Sequence, residues 1–127
     1  MILDSNAISE LTGDQPSRGL LQKLSSSPVH QIPVIVLGEI RFGAQFSHDR
    51  SQLETRLNQL IDVNLILPID EASSQFSADI RADLRRRGTP IPHNDLWIAA
   101  LARQHNLAIV TQDVHFRSVQ GLQIVSW

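Results

Sequence analysis

The sequence contains no cysteine among its 127 residues. Disulfide bonds, thiolate nucleophiles and cysteine-based zinc sites are therefore excluded. No apolar run approaches the roughly 20 residues that a membrane-spanning helix needs, so we expect no membrane association. The opening Met1-Ile2-Leu3 leads straight into Asp4, without the basic and hydrophobic segments of a secretion signal. We therefore expect a cytoplasmic protein.

Lysine is almost absent from the chain. Lys23 is the only lysine, and the other ten basic residues are arginines. Arginine suits bidentate contacts with phosphate, but a bias in genome base composition explains the same preference equally well. The formal net charge of -2 argues against a nucleic-acid partner. Composition alone therefore leaves nucleic-acid binding open.

The length and composition indicate one globular unit. Hydrophobic residues make up 42% of the chain and charged residues 19%, which is an ordinary mixture for a folded protein. A chain of 127 residues leaves little room for a second hydrophobic core. We therefore predict a single domain over residues 1–127.

Five short apolar runs alternate with segments of helical periodicity. The runs are rich in β-branched residues and predict strands at residues 1–4, 30–32, 65–69, 107–111 and 122–126. Apolar stripes predict helices at residues 49–61, 70–87 and 94–105. Alternating strands and helices favour parallel pairing. The predicted fold is therefore α/β, a three-layer α/β/α sandwich with a mainly parallel five-stranded sheet.

The predicted helices also indicate which side chains are buried. The helix at 94–105 is apolar around most of its circumference, so we expect it to be buried on more than one face. We expect Trp97 and Phe42 in the core. Arg85-Arg86-Arg87 either complements a helix dipole or binds phosphates or acidic partners. The buried stripe predicted for the helix at 70–87 comprises Ala72, Phe76, Ile80 and Leu84.

Four acidic residues stand where a surface charge is not expected. Asp4 directly follows the first predicted strand, and Asp113 follows the fourth by two residues. Asp95 opens the most apolar helix, and Glu39 interrupts the apolar run at residues 34–40. Ligands of parallel sheets bind beyond the carboxyl ends of the strands, where Asp4 and Asp113 lie.

Each acid also has a purely structural interpretation, because Asp4 and Asp95 can cap helices and Asp113 can serve a turn. Glu39 is harder to explain, since an ionised side chain in an apolar run needs a partner or a metal. If the four acids converge, two carboxylates about 5 Å apart repel by roughly 3 kcal/mol at an effective dielectric near 20. Such a cluster requires cations. Oxygen ligands favour Mg²⁺ or Mn²⁺ over zinc.

Four segments, in order along the chain, resemble the motifs of PIN-domain ribonucleases and especially of VapC-type toxins. Asp4-Ser5-Asn6 resembles their D-T-N opening, and Glu39-Ile40-Arg41-Phe42-Gly43 resembles their E-[LI]-x-x-G helix. The segment at residues 94–100, NDLWIAA, is similar to their N-D-x-x-I-A-A motif. The segment at residues 111–116, TQDVHF, is similar to their T-x-D-x-x-F ending. The last seven residues also match the usual final strand of VapC toxins.

The resemblance implies a metal-dependent endoribonuclease that acts as the toxin of a toxin–antitoxin pair. Mg²⁺, or Mn²⁺ in its place, would be bound by Asp4, Asp95 and Asp113, while Glu39 would position water or act as the base. The implied partners are RNA, a small antitoxin protein and a second copy in a homodimer or a higher toxin–antitoxin assembly. The implied acidic site consists of Asp4, Glu39, Asp95 and Asp113, with Asn6, Asn94 and Thr111 as supporting hydrogen-bonding residues.

Two departures from the motifs leave the acids intact. Ser5 replaces the usual threonine, and Pro33 and Val36 stand where serine and threonine are common. His93 and His115 flank the site acids, and we expect both at the surface, with a metal or proton-transfer role as the alternative. Without its four site acids the chain carries a formal charge of +2, which is compatible with RNA binding. A non-catalytic RNA- or protein-binding module on the same fold is the alternative, and only an assay separates the two.

Overall fold

The computed structural model describes all residues from 1 to 127. A five-stranded sheet forms the centre of the protein. Every strand pair is parallel, so the predicted mainly parallel sheet is confirmed. All five predicted strands are present, although each is only two or three residues long. The strands are β1 (Ile2–Leu3), β2 (Gln31–Pro33), β3 (Leu65–Leu67), β4 (Ile109–Val110) and β5 (Ile124–Val125), in the spatial order β3-β2-β1-β4-β5.

Helices connect the strands and cover both faces of the sheet. Successive side chains of a strand point to opposite faces, and both residues of β1 and both residues of β4 are at most 1% exposed. The architecture is therefore the predicted three-layer α/β/α sandwich. No helix combines the length and the apolar character needed to cross a membrane. The helices are α1 (Ser5–Leu11), α2 (Arg18–Leu24), α3 (Val34–Ala44), α4 (Arg50–Val63), α5 (Glu71–Arg86) and α6 (His93–His105), with a short 3-10 helix at Val114–Ser118.

The pairing of β1 with β4 determines where the polar residues after these strands lie. The two strands are adjacent, with Leu3 opposite Val110. Asp4 directly follows β1 and Thr111 directly follows β4. The Asp4 N–H donates to the Val110 carbonyl at 3.3 Å. Residues separated by more than a hundred positions are thereby brought side by side at the carboxyl edge of the sheet.

Helix α6 is buried on more than one face, as predicted. Its run Ile98-Ala99-Ala100-Leu101-Ala102 is at most 2% exposed. The neighbouring helix α5 begins with a capping box, in which Asp70 accepts from the Ser73 N–H and Ser73 Oγ accepts from the Asp70 N–H. Ser73 Oγ also donates to Gln104 Oε1 of α6 at 2.6 Å.

The stripe predicted for α5 is partly wrong. Ile80 and Leu84 are buried as expected, and Phe76 is partly buried, but Ala72 is exposed. Ser73 and Ser77 are buried in the first two turns instead. A stripe of every fourth residue drifts around a helix, so Ala72 lies about 120° from Leu84, whereas Ser73 and Ser77 lie within about 20° of it. Gln104 of α6 provides the hydrogen-bond partner for the buried Ser73 hydroxyl.

The prediction that Phe42 lies in the core is also wrong. Phe42 is 68% exposed on α3, and its ring meets that of Phe46, itself 76% exposed, edge-to-face at 5.4 Å. The buried face of α3 is formed by Val36, Leu37, Ile40 and Ala44, which turns Phe42 toward solvent. Trp97 is only half-buried.

The three consecutive arginines at the end of α5 do not share one role. The Arg87 guanidinium donates to Asp83 one turn earlier at 2.7 Å and to the Ser118 carbonyl. It therefore ties α5 to the 3-10 helix. Arg85 and Arg86 are exposed. Arg85 lines a groove of about 820 Å³ between α5 and α6, which Trp97 also lines.

Candidate active site

The hydroxyl of Thr111 connects two of the predicted site acids. Thr111 Oγ1 donates to Asp4 Oδ2 at 2.7 Å and accepts from the Asp113 N–H at 2.9 Å. It also lies 3.2 Å from Asn6 Oδ1. Because Thr111 follows β4 and Asp4 follows β1, this short bridge is a direct result of the strand pairing. The sequence placed Thr111 among the supporting residues, and the structure shows which two acids it connects.

Asp4 is a buried carboxyl group in a cluster of negative charge. It is only 2% exposed. Burial raises its pKa above the usual aspartate value, because an ionised carboxylate is costly to remove from water. The hydrogen bonds from Thr111 and from the Ser5 backbone oppose this rise in pKa, while the charges of Glu39 and Asp113 add to it.

Asp95 is the most strongly perturbed acid of the site. It lies in the first turn of α6, and its side chain is 13% exposed. Burial, followed by the charges of Asp113 and Asp4, raises its pKa to about 6, with His115 opposing the shift and Glu39 adding to it. Such a rise in pKa is typical of a carboxyl group that is buried beside other carboxylates.

Asp113 and His115 lie against Asp95. His115 Nδ1 is 2.9 Å from Asp113 Oδ1 and 3.3 Å from Asp95 Oδ2. One potential ligand atom from each of these three residues falls within 4.8 Å of the other two. Sequence reasoning treated His115 as a surface residue, and its side chain is indeed 49% exposed. The only available signal for its contact with the acids was its position two residues after Asp113, inside a predicted motif.

Glu39 approaches the site from α3 and is held by the start of α6. Its Oε1 accepts a 2.6 Å hydrogen bond from Asn94 Nδ2, and Asn94 directly precedes Asp95. Glu39 is half-buried, so it does not lie inside the apolar core as its sequence context suggested. It needs a partner, as expected, and Asn94 is that partner. A cavity of about 300 Å³ beside Glu39 is lined also by Ser5 and Ile40.

Asp4 and Asp113 differ in whether they also cap a helix. Asp4 occupies the position before α1, but its side chain makes no capping hydrogen bond to that helix. Asp113 does cap the 3-10 helix, because its Oδ1 accepts from the His115 N–H at 2.9 Å. Asp113 thus caps the 3-10 helix and also belongs to the acidic cluster.

The structure brings together every residue that the sequence analysis selected. The charges of Asp4, Glu39, Asp95 and Asp113 act on one another, as the raised pKa values of Asp4 and Asp95 show. Asn6, Asn94 and Thr111 each contact at least one other member of the set. This donor set fits a hard divalent cation, because oxygen ligands dominate and the carboxylates repel one another without one. The larger groove between α5 and α6 contains none of the four acids.

Comparisons with known proteins agree with this geometry. A family model described as PIN domain matches residues 1–122, a range that includes all four acids. Toxin FitB from Neisseria gonorrhoeae is 32% identical over 121 residues, which cover 89% of this chain and 87% of FitB. Ribonuclease VapC4 from Mycobacterium tuberculosis is 34% identical over 97 residues, 75% of each chain. The crystal structure of DNA-bound VapBC from Salmonella typhimurium matches with a TM-score of 0.89 and 26% identity, over 99% of this chain and 96% of that chain. The chain therefore belongs to the PIN domain family.

Proposed function

We propose that this chain is an endoribonuclease that requires Mg²⁺ or Mn²⁺ and acts as the toxin of a toxin–antitoxin pair. The observation that carries the proposal is the convergence of four carboxylates at the carboxyl edge of the sheet, with the pKa of Asp95 raised to about 6. Membership of the PIN domain family supports the assignment. The similarity to a toxin and to a ribonuclease supports it further.

In this proposal the acids divide into ligands and a water-positioning group. Asp4, Asp95 and Asp113 would supply oxygen ligands to the cation. When bound, the cation would activate a water for in-line attack on the phosphodiester and stabilise the leaving 3′ oxygen. Glu39 holds the attacking water or accepts its proton, and Asn94 fixes the direction of the Glu39 carboxylate through the 2.6 Å hydrogen bond. Thr111 holds Asp4 in place.

RNA and a small antitoxin protein are the partners that the proposal requires. Apart from the four site acids the chain carries a formal charge of +2, so the chain as a whole has a net charge compatible with binding a polyanion once a cation neutralises the acids. We also propose a homodimer, which light scattering on the purified protein tests directly.

The test of the activity is cleavage of total cellular RNA by the purified chain. We expect cleavage with Mg²⁺ or Mn²⁺, no cleavage with EDTA, and loss of cleavage in Asp4→Asn and in Asp95→Asn. The exposed Asp62, which lies on α4 and whose side chain makes no hydrogen bond to another residue, provides the matched control Asp62→Asn. A chain that binds RNA but never cleaves it would support the non-catalytic binding module instead.

The test of the toxin role is expression in bacteria. We expect expression of the chain alone to arrest growth, Asp95→Asn to relieve the arrest, and co-expression of the cognate antitoxin to restore growth. Harmless accumulation of folded wild-type protein would contradict the toxin assignment, although the nuclease assignment would stand on the cleavage assay.

A further inference from the structure

We propose that His115 is a metal ligand through Nδ1, and that this nitrogen makes the site prefer divalent transition ions such as Mn²⁺ over Mg²⁺. This inference rests on the proposed function, since it concerns the same cation. It assigns a role to a residue at a position that the T-x-D-x-x-F motif leaves variable, and it adds a metal preference that the motifs do not specify. The oxygen-only ligand set predicted from the sequence gives no such preference.

The spacing of the three donor atoms carries the inference. His115 Nδ1 lies 2.9 Å from Asp113 Oδ1 and 3.3 Å from Asp95 Oδ2. Neighbouring ligands of an octahedral ion with bonds near 2.1 Å are about 3 Å apart. The distances from His115 Nδ1 to the two carboxylate oxygens are therefore close to those expected if all three atoms bound one cation. The His115 side chain would not need to change its rotamer.

The position of His115 is fixed by the backbone around it. Its N–H donates to Asp113 Oδ1 at 2.9 Å, which holds the two residues in one tight turn. The next residue, Phe116, is completely buried and anchors the 3-10 helix to the core. Arg87 additionally binds the Ser118 carbonyl at the end of the same helix. An imidazole presented by so constrained a segment loses little conformational freedom when it binds a metal.

The chemistry of the imidazole then determines which ion the site prefers. Mg²⁺ binds oxygen ligands and releases its water reluctantly, so a nitrogen ligand adds little to its affinity. Imidazole nitrogen is a better ligand for first-row transition ions than for Mg²⁺, and within that series Mn²⁺ gains the least from it. Removing His115 should therefore weaken the binding of Mn²⁺ much more than the binding of Mg²⁺.

The experiment is pulsed electron paramagnetic resonance of Mn²⁺ bound to the full chain, combined with titration calorimetry of Mn²⁺ and Mg²⁺. We expect a nitrogen coupling in the wild-type spectrum and its loss in His115→Ala. We expect the Mn²⁺ dissociation constant of His115→Ala to rise by about tenfold or more, with a much smaller change for Mg²⁺. The control is His93→Ala, which removes an exposed histidine that also flanks a site acid, and it should keep the coupling and both affinities.

The possible failures point to different conclusions. Tight Mn²⁺ binding without a nitrogen coupling in the wild-type spectrum would overturn the role of His115 and leave the metal-dependent nuclease intact. An equal loss of affinity for both metals in His115→Ala would also overturn it, because His115 would then act only by holding the carboxylates. Absence of any Mn²⁺ or Mg²⁺ binding by the wild-type chain would overturn the proposed function as well. The wild-type spectrum answers the question even if His115→Ala does not fold.

Discussion

Replacing Asp95 by asparagine should abolish RNA cleavage and, in the absence of metal, make the protein more stable. The Asp95 side chain is 13% exposed and lies beside other negative charges, which together with burial raise its pKa from 3.8 to about 6. The folded chain therefore holds the Asp95 proton more tightly than the unfolded chain does. Asparagine has no charge to bury, so it removes this cost at neutral pH.

The magnitude follows from the shift in pKa. The pKa of Asp95 rises by about two units on folding, and each unit corresponds to about 1.36 kcal/mol. The free energy of unfolding of Asp95→Asn at pH 8 should therefore exceed that of wild type by at most about 3 kcal/mol. For a chain of this size that gain corresponds to a rise of about 10 °C in melting temperature. Above about pH 6 the ionised Asp95 carboxylate destabilises the folded wild-type chain by the full amount. Asp95 takes up a proton in the folded chain as the pH falls through 6 toward 4, and the destabilisation is lost over that range because the folded-state pKa is raised. The advantage of Asp95→Asn should therefore shrink between pH 8 and pH 5.

The assay is a series of thermal and urea melts in EDTA between pH 5 and pH 8, on wild type, Asp95→Asn and the control Asp62→Asn. Excess Mg²⁺ should reverse the order, because the wild-type chain gains more from the cation than a chain that has lost a ligand. If Asp95→Asn is less stable than wild type in EDTA, by the same amount at every pH, the electrostatic reasoning about this site is refuted.

Three further predictions concern the cation, the Thr111 bridge and the corrected core. A hundredfold excess of Mg²⁺ or Mn²⁺ over its dissociation constant should stabilise the wild-type chain by about 2.7 kcal/mol and remove the pH trend seen in EDTA; unchanged melts would contradict a common cation site. Thr111→Val should lower the free energy of unfolding by about 1–3 kcal/mol, because buried Asp4 loses its hydroxyl donor, whereas Thr111→Ser should keep most of the stability in urea titrations. Phe116→Ala should cost about 3–5 kcal/mol and Phe42→Ala less than about 1 kcal/mol, since only Phe116 is buried; equal losses in urea would contradict the assignment of Phe42 to the surface.

The strand positions and the four acids were predictable because both leave a local mark on the sequence. Short β-branched runs identified all five strands, and the acids after the first and fourth runs indicated the carboxyl edge of the sheet. Glu39 stood out because it interrupts an apolar helix. Its environment was not predictable, since only the packed structure shows that α3 turns this residue toward Asn94.

The parts that were missed depend on contacts between distant segments. Serine is not expected on a buried helix face, and the hydrogen-bond acceptor that satisfies the Ser73 hydroxyl is Gln104, which lies 31 residues away. Phe42 is exposed because no helix covers that side of α3, and its hydrophobicity alone suggested the opposite. The approach of His115 to Asp95 requires the 3-10 helix and α6 to pack together, which no periodicity within either segment reveals.

The central position of β1 has a consequence for the time at which the acidic site forms during synthesis. Asp4 precedes its partner Thr111 by 107 residues, and β1 pairs with β4 only after the later segment has been translated. At the usual speed of about 5–20 residues per second, Asp4 waits for about 5–20 seconds before Thr111 is made. The order of translation thus keeps these residues apart, and a ribosome-bound chain lacks the assembled acidic cluster until the segment that carries Thr111 and Asp113 has been produced.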